Sequence, residues 1–207
     1  MGGIPVLFPQ FGEFGSGVIH GTARSEFWIP SNGSDNFQVF EAEIPSLNDI
    51  PCLLRLEILI RKSNLEISLN VTNRGIEVAE FTCGLHTFLR VDQDLGTKIY
   101  GLNCAKYLDA TAALDLKVDT DLSLRALPGI DRVYLGVNKP ISLRQGHEKL
   151  VESTQAGFDD LVVWIPAGLD ASDLDLQFVC IEPAQIQNPV KLQPGETWTG
   201  SQTLTVR

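Results

Sequence analysis

Apolar and polar residues alternate along most of the chain, which is the pattern of half-buried β-strands. The alternation is clearest where Leu65, Ile67, Leu69 and Val71 share one face and polar residues occupy the positions between them. The strands predicted in this way cover residues 37–44, 53–61, 65–73, 80–90, 97–101, 131–137, 141–144, 148–153, 160–165, 176–183 and 197–206.

Helical signals are weak by comparison. No stretch keeps a 3.6-residue apolar period, and the best candidate is residues 168–176, where Asp170 is placed to cap a single turn. Short turns at residues 62–64 and 73–75 join successive strands, which favours antiparallel pairing. About ten strands in one chain predict an all-β fold, a β-sandwich of two large antiparallel sheets. With no internal repeat or linker, residues 1–207 are expected to form a single domain.

The composition of the chain argues against several classes of function. The net charge of −10 argues against non-specific nucleic-acid binding and against an anionic membrane surface. There is no long apolar run and no basic, apolar leader at the start. Four cysteines stand without CxxC or zinc-type spacing, which favours reduced thiols in a cytoplasmic protein over a disulfide set.

A histidine interrupts the strand-like run EFTCGLHTFLR at residues 80–90. His86 falls on the polar face of this run, and Gly84 leaves room for another group to approach the backbone. As a lone histidine it is more often a packed strand residue than a functional one. The alternative is that its face lines a cleft.

Other polar residues stand at strand ends or turns. Glu182 follows an apolar strand and precedes proline, and a buried carboxylate without a partner is costly or has a raised pKa. Asp131 stands where a turn enters an apolar strand, and His20 and Arg24 flank a glycine. Taken singly, these read as turn or surface residues.

The set as a whole indicates acid–base chemistry. A carboxylate and an imidazole facing one pocket can act as general base and general acid near neutral pH. No convincing Ser-His-Asp pattern, phosphate-binding glycine loop or metal-ligand spacing competes with that interpretation. Two alternatives remain, which are acid–base chemistry on a neutral or anionic small molecule and simple binding of such a molecule.

Eight segments in series carry a resemblance that spans nearly the whole chain. The segments are GGIPVLFPQFG (2–12), HGTAR (20–24), GLHTFLRV (84–91), IYGLNCAKYLDAT (99–111), IDRVYLGV (130–137), DDLVVWIPA (159–167), FVCIEPA (178–184) and LQPGETWTGSQTL (192–204). With them the chain resembles the hexose-6-phosphate mutarotases, of the glucose-6-phosphate 1-epimerase type, within the aldose 1-epimerase superfamily.

The resemblance implies a galactose-mutarotase-like β-sandwich that interconverts the α and β anomers of a sugar phosphorylated at C6, without a cofactor or metal. It implies that His86 is the catalytic acid and Glu182 the catalytic base, and that His20, Arg24 and Asp131 hold the sugar. Arg90, just after the histidine motif, is a further candidate contact for an anion.

The chain departs from the family pattern in its N-terminal region and at three positions. Family members have several strands before the GGIP motif, so we expect part of one sheet to be absent, and a second subunit is a candidate cover for the edges this would leave. Met1 stands where the family has arginine, Thr22 replaces an aromatic residue, and Ile165 replaces a polar residue. Two alternatives to a sugar-phosphate mutarotase therefore stay open: a sugar-binding or regulatory protein without turnover, and an epimerase of unphosphorylated sugars. Either a monomer or a homodimer is compatible with the sequence.

Overall fold

The computed structural model describes residues 2–91, 96–146, 148–167 and 178–206, which fold into two antiparallel β-sheets packed against each other. The expected all-β sandwich is therefore confirmed. Regular helix in the described ranges is limited to two short 3₁₀ turns, Ala23–Ser25 and Ala110–Ala112. The helix candidate at residues 168–176 lies outside the described residues.

The smaller sheet carries most of the segments that contain the candidate residues. Its strands are β1 (Val6–Leu7), β6 (Ala79–Leu85), β7 (Phe88–Arg90), β9 (Lys106–Asp109), β10 (Asp115–Val118), β12 (Ile130–Tyr134), β15 (Asp160–Ile165) and β16 (Phe178–Leu192). This 8-stranded sheet has the order β1-β6-β16-β15-β12-β9-β10, and β7 pairs with the start of β16.

The larger sheet forms the other layer of the sandwich. Its strands are β2 (Ile29–Ser34), β3 (Phe37–Pro45), β4 (Pro51–Arg61), β5 (Asn64–Asn73), β8 (Lys98–Tyr100), β11 (Ser123–Arg125), β13 (Ile141–Gln145), β14 (Glu148–Ala156) and β17 (Thr197–Val206). This 9-stranded sheet has the order β11-β8-β13-β14-β17-β5-β4-β3-β2. The predicted meander over residues 37–73 corresponds to β3, β4 and β5, which pair in sequence.

One predicted strand is broken in the structure. The run at residues 80–90 forms β6 and β7, and His86 and Thr87 lie in the gap between them. The amide of Thr87 donates to the carbonyl of Leu85, two residues back, so the chain turns tightly at this point. The break places His86 at a strand end instead of within a continuous ladder.

The strand alternation divides the smaller sheet into two faces with different roles. Val163, Val179 and Ile181 point between the sheets and pack with Leu143 and Leu204 of the larger sheet. Complete burial of one such side chain is worth about 1.5–3 kcal/mol, so this inner face stabilises the sandwich.

The outer face of the smaller sheet is covered by the N-terminal segment. Leu7 and Phe11 of that segment pack against Val133, Val162 and Ala184 of the sheet. This covering layer shields the polar residues of the outer face from solvent. Among the described residues, no helix is long and apolar enough to cross a lipid bilayer.

Candidate active site

A cavity of about 1040 Å³ lies between the outer face of the smaller sheet and the N-terminal segment. Five of the six side chains singled out in the sequence line this cavity. They are His20, Arg24, His86, Asp131 and Glu182. They come from four separate segments of the chain: His20 and Arg24 belong to the N-terminal segment, and strand pairing in the smaller sheet brings His86, Asp131 and Glu182 together.

Gly84 explains how the N-terminal segment reaches His86. A Cβ atom at Gly84 would lie 2.6 Å from the ring of Phe11 and 2.8 Å from the carbonyl oxygen of Pro183, so no larger residue fits there. The amide of His86 itself donates to the carbonyl of Pro5 at 2.9 Å. The room that the sequence predicted beside this glycine is therefore filled by the protein's own N-terminal segment.

His86 and Glu182 form a buried pair. Nδ1 of His86 lies 3.5 Å from Oε1 of Glu182, and the two residues are 9% and 1% exposed. Among the described residues, Nδ1 of His86 and Oε2 of Glu182 have no hydrogen-bond partner. Buried polar atoms are rarely left unpaired, so these two atoms are candidates for binding a ligand in the cavity.

Aromatic rings fix the orientation of the His86 imidazole. The ring of Phe88 is stacked on it at 4.5 Å with an interplanar angle of 7°. The indole of Trp164 meets it edge-on at 5.6 Å and 88°. These two aromatic contacts limit the freedom of the imidazole to turn away from the carboxylate of Glu182.

Burial shifts the pKa values of both residues in the direction that favours their neutral forms, the imidazole and the carboxylic acid. It lowers the pKa of His86 to about 4, with a further contribution from His20. It raises the pKa of Glu182 well above its usual value, with a further contribution from the negative charge of Asp131. Strongly shifted acid–base groups in a cavity are typical of functional sites.

The ring of His20 is held in one orientation by a hydrogen bond from the backbone of Gly12. His20 adopts a left-handed conformation with φ 66°, and its Nδ1 accepts a hydrogen bond of 3.2 Å from the amide of Gly12. The neutral ring therefore carries its proton on Nε2. The two imidazole rings of His20 and His86 are 5.6 Å apart, and burial followed by the charge of Arg24 lowers the pKa of His20.

Arg24 and Asp131 both line the cavity. Arg24 is in the first 3₁₀ turn and is exposed, and its Nη2 donates to the carbonyl of Ile19 at 3.3 Å. Asp131 is half-buried on β12 opposite Trp164, and burial followed by the charge of Asp109 raises its pKa. The cavity thus presents both a guanidinium and carboxyl groups to a ligand.

Arg90 is not with the others. It lies at the far end of β7, opposite Phe178, and lines a second cavity of about 850 Å³. That cavity is bordered by the β4–β5 turn and by apolar residues of β14 and β17. Its place next to the histidine motif in the sequence therefore does not bring Arg90 into the cavity that contains His86.

The aromatic lining of the cavity was not singled out in the sequence. Phe88 stands two residues after His86, so strand alternation would have placed it on the same face. Trp164 faces Asp131 across the β12–β15 pairing, and Val162 faces Glu182 across the β15–β16 pairing. No local signal could have found Trp164, because it depends on the register between strands that are distant in sequence.

Cys180 lies beside the pair. Donor atoms of His86, Cys180 and Glu182 lie within 4.8 Å of one another, which is a spacing that a metal ion can bridge. Burial raises the pKa of the Cys180 thiol, followed by the charge of Glu182. A thiol must lose its proton to bind a metal, so the environment of Cys180 disfavours that use of the cluster.

The protein is a sandwich of two antiparallel sheets, and a cavity on its outer face contains a buried imidazole and a buried carboxyl group. This arrangement is typical of β-proteins that carry out acid–base chemistry or bind a small ligand. The chain belongs to the aldose 1-epimerase family, whose model matches residues 1–205.

Two individual relatives match most of the chain. The chain is 29% identical to a protein of Cenchrus ciliaris named "Putative glucose-6-phosphate 1-epimerase", covering 96% of this chain and 68% of the relative. It is 24% identical to the Arabidopsis thaliana protein NDH-dependent cyclic electron flow 5, over 71% of this chain and 47% of the relative.

Solved structures share the fold. A galactose mutarotase-like protein from Lactobacillus casei superposes with a TM-score of 0.80 at 17% identity, over 99% of this chain and 85% of that one. The Slr1438 protein from Synechocystis gives a TM-score of 0.80 at 19% identity, over 98% of this chain and 77% of that one. At these identities the likeness concerns the fold alone.

Proposed function

We propose that residues 1–207 act as one domain that interconverts the α and β anomers of an aldose, with a hexose 6-phosphate as the substrate. The observation that carries the proposal is the His86–Glu182 pair, 3.5 Å apart in the cavity with buried atoms that lack protein partners. Anomerisation requires one group to remove a proton and another to supply one at two oxygens bonded to the same carbon. A closely spaced acid–base pair meets that requirement.

The reaction follows from this geometry. One group removes the proton from the O1 hydroxyl while the other gives a proton to the ring oxygen O5, and the C1–O5 bond breaks. The resulting aldehyde rotates about C1–C2, and the O5 hydroxyl attacks the other face of C1 as the proton transfers reverse. Each positioned proton transfer contributes roughly 10²–10⁴-fold to the rate.

The protonation of the pair suits a reversible reaction. An imidazolium with a carboxylate and an imidazole with a carboxylic acid contain the same number of protons. Burial favours the neutral arrangement in the empty site, by lowering the pKa of His86 and raising that of Glu182. Sugar hydroxyls that pair with the charged forms favour the ionic arrangement, in which Glu182 is the base and His86 the acid. Either arrangement supplies one acid and one base.

The remaining cavity residues are assigned to sugar binding. His20 offers an Nε2–H donor in a fixed direction because Nδ1 is already bonded to the amide of Gly12. Asp131, which lines the same cavity, accepts hydrogen bonds from hydroxyl groups of the sugar. Arg24 is exposed at the cavity and has a planar set of donors suited to an anion, so we assign it to the phosphate. The name of the Cenchrus ciliaris relative supports the same substrate.

Proton NMR of freshly dissolved α-glucose 6-phosphate and α-glucose, with and without protein, tests this function. We expect the protein to accelerate anomerisation of the sugar phosphate more than that of the plain sugar. Arg24→Gln should raise KM for the sugar phosphate by about tenfold or more, since a charge-assisted bond contributes about 1.5–3 kcal/mol. The matched control is Arg74→Gln, which removes an exposed arginine that does not line the cavity. Acceleration of neither sugar would overturn the proposal.

A second function is a sugar-binding protein without turnover. The observation in its favour is the relative named for NDH-dependent cyclic electron flow, a process other than sugar conversion. Saturation-transfer NMR separates the two functions, because a binding protein would show contact with the sugar and leave its anomerisation rate unchanged. The free thiols of Cys52, Cys83, Cys104 and Cys180 support a reducing compartment, and we place either function in the cytoplasm.

A further inference from the structure

Gln202 is a polar residue in the middle of the apolar core between the two sheets. It lies on β17 of the larger sheet and is 0% exposed. A buried amide must satisfy its donors and acceptor within the protein. The partners of this amide therefore indicate why a glutamine occupies a core position.

The amide of Gln202 reaches across to the smaller sheet at two points. Its Oε1 accepts a hydrogen bond from the hydroxyl of Thr87, and its Nε2 donates to the carbonyl of Ile181 at 3.1 Å. The second donor of Nε2 binds the hydroxyl of Ser153 on the neighbouring strand β14 at 2.9 Å. Both hydrogens of the amide and its oxygen are thus used.

Both cross-sheet contacts fall next to the acid–base pair. Thr87 follows His86 directly, and Ile181 precedes Glu182 directly. Ile181 and Glu182 are neighbours in β16, so their side chains point to opposite faces, the first to the core and the second to the cavity. Thr87 bonds the buried Gln202 in the core, whereas His86 lines the cavity. The amide of Ile181 also donates to the carbonyl of Thr87 at 3.1 Å, which closes the connection between the two segments.

The strand ladder of the smaller sheet is interrupted at this location. His86 and Thr87 lie in the gap between β6 and β7. The hydrogen bonds from Gln202 replace part of the support that a continuous ladder would give.

We infer that Gln202 is a positioning residue that holds the backbone of His86 and Glu182 at the separation the reaction needs. This inference rests on the proposed function. Small errors in the placement of reacting groups are costly, and a displacement of about 1 Å can reduce the rate about 10²-fold. Gln202 touches neither the cavity nor the substrate, so its effect on the rate passes through Thr87 and Ile181.

The test compares Gln202→Leu with Gln155→Leu. Gln155 is a matched control, because its Nε2 also donates to backbone carbonyls, those of Val137, Phe158 and Asp160, away from the cavity. We expect Gln202→Leu to reduce kcat about 10- to 100-fold with KM within about twofold, and Gln155→Leu to reduce thermal stability while kcat stays within about twofold. Equal effects of the two variants on kcat, or none from Gln202→Leu, would overturn the inference.

Thr87→Val makes a smaller change to the same set of hydrogen bonds between Gln202 and the smaller sheet. It removes the hydroxyl that binds Gln202 and keeps the shape of the side chain, so it tests the inference even where Gln202→Leu folds poorly. We expect Thr87→Val to lower kcat in the same direction, and the double variant to lose less than the product of the two single losses. If the two losses of kcat were fully additive, Gln202 and Thr87 would act independently, which would contradict the inference.

A spectroscopic readout separates this inference from the proposed function. Nitrogen-15 NMR of the histidine rings in the wild type and in Gln202→Leu reports the environment of His86 without any turnover. We expect the His86 ring signals to shift in Gln202→Leu and to stay in place in Gln155→Leu. A wild type without anomerisation activity would refute the proposed function alone, whereas unchanged His86 signals in Gln202→Leu would refute the positioning role.

Discussion

Two buried carboxyl groups on neighbouring strands have opposite surroundings. Asp160 begins β15 and Glu182 lies on β16, and each is 1% exposed. Oδ2 of Asp160 accepts hydrogen bonds from the backbone amides of Ile186 at 3.0 Å and Gln187 at 2.9 Å. Oε2 of Glu182 has no hydrogen-bond partner among the described residues, and its Oε1 faces His86 at 3.5 Å.

The comparison separates a structural carboxyl group, that of Asp160, from the proposed catalytic one, that of Glu182. Burial raises the pKa of both, but backbone amides oppose that effect at Asp160, whereas the negative charge of Asp131 adds to it at Glu182. A buried polar group without a partner costs about 1–3 kcal/mol. The carboxyl group of Asp160 has its partners within the protein, whereas Glu182 keeps an oxygen that has no partner among the described residues, at a cost in stability that the proposed catalytic role would explain.

The largest expected effect is the loss of the proposed base. Glu182→Gln keeps the shape of the side chain and should reduce kcat by roughly 10²–10⁴-fold, because the amide cannot accept the O1 proton. His86→Asn should have an effect of similar size. The double variant should lose much less than the product of both, since the two groups act in one transition state. Anomerisation rates measured by NMR above the uncatalysed rate provide the comparison.

Asp160→Asn is the matched control for Glu182→Gln. It should lower the melting temperature, because one amide-accepting oxygen is replaced or reoriented, and leave kcat within about threefold of the wild type. A Glu182→Gln protein that melts early and turns over normally would instead place Glu182 in the structural class with Asp160.

Much of the fold was predictable from the sequence, and the alternation of residues explains why. Strands β3, β4 and β5 agree with the predicted runs to within two residues, since their half-buried faces impose a strict period of two. Strands β1, β2, β9, β10 and β11 were not predicted. Strand β2 reads IPSNGS, is exposed throughout and shows no alternation, and the other four are only two to four residues long.

The site was predictable only in part. Glu182 is a candidate site residue because its carboxylate ends an apolar run, and the structure buries it as that pattern predicts. The pairing with His86 could not be derived from the residues alone, because it depends on β6 and β7 both lying beside β16. Trp164 and Gln202 stayed unnoticed for the same reason, since one acts through strand register and the other across the two sheets.

The pH dependence of stability is expected to distinguish the two members of the pair. Burial raises the pKa of Glu182 above its ordinary 4.5, so the folded state holds a proton that the unfolded state has lost. The free energy of unfolding therefore falls as pH rises above that value, by up to about 1.4 kcal/mol per pH unit. Glu182→Gln removes this fall, so its stability relative to the wild type should increase as the pH rises above about 4.5.

His86 contributes a pH dependence of stability with the opposite sign. Burial lowers its pKa from 6.5 to about 4, so the unfolded state holds the extra proton between these values, and the free energy of unfolding rises with pH across that window. His86→Asn should remove this rise and leave the decline at higher pH. Urea unfolding of both variants and the wild type across this range tests the two slopes, and curves parallel to the wild type would contradict the neutral pair.

The smallest expected effect concerns the ring that orients His86. Phe88 stacks on the imidazole, and its own ring packs on Phe178 at 5.0 Å. Phe88→Leu should remove a contact worth about 0.5–1.5 kcal/mol and lower kcat about two- to tenfold, because the imidazole then samples orientations away from the substrate. Phe178→Leu disturbs the same aromatic cluster without touching the stacked face of His86. Urea unfolding and NMR rates measured on both variants should show similar losses of stability but a loss of kcat for Phe88→Leu alone. A parallel loss of kcat in both would mean that the cluster acts through general packing, as the surroundings of Asp160 do, and not through the orientation of one ring.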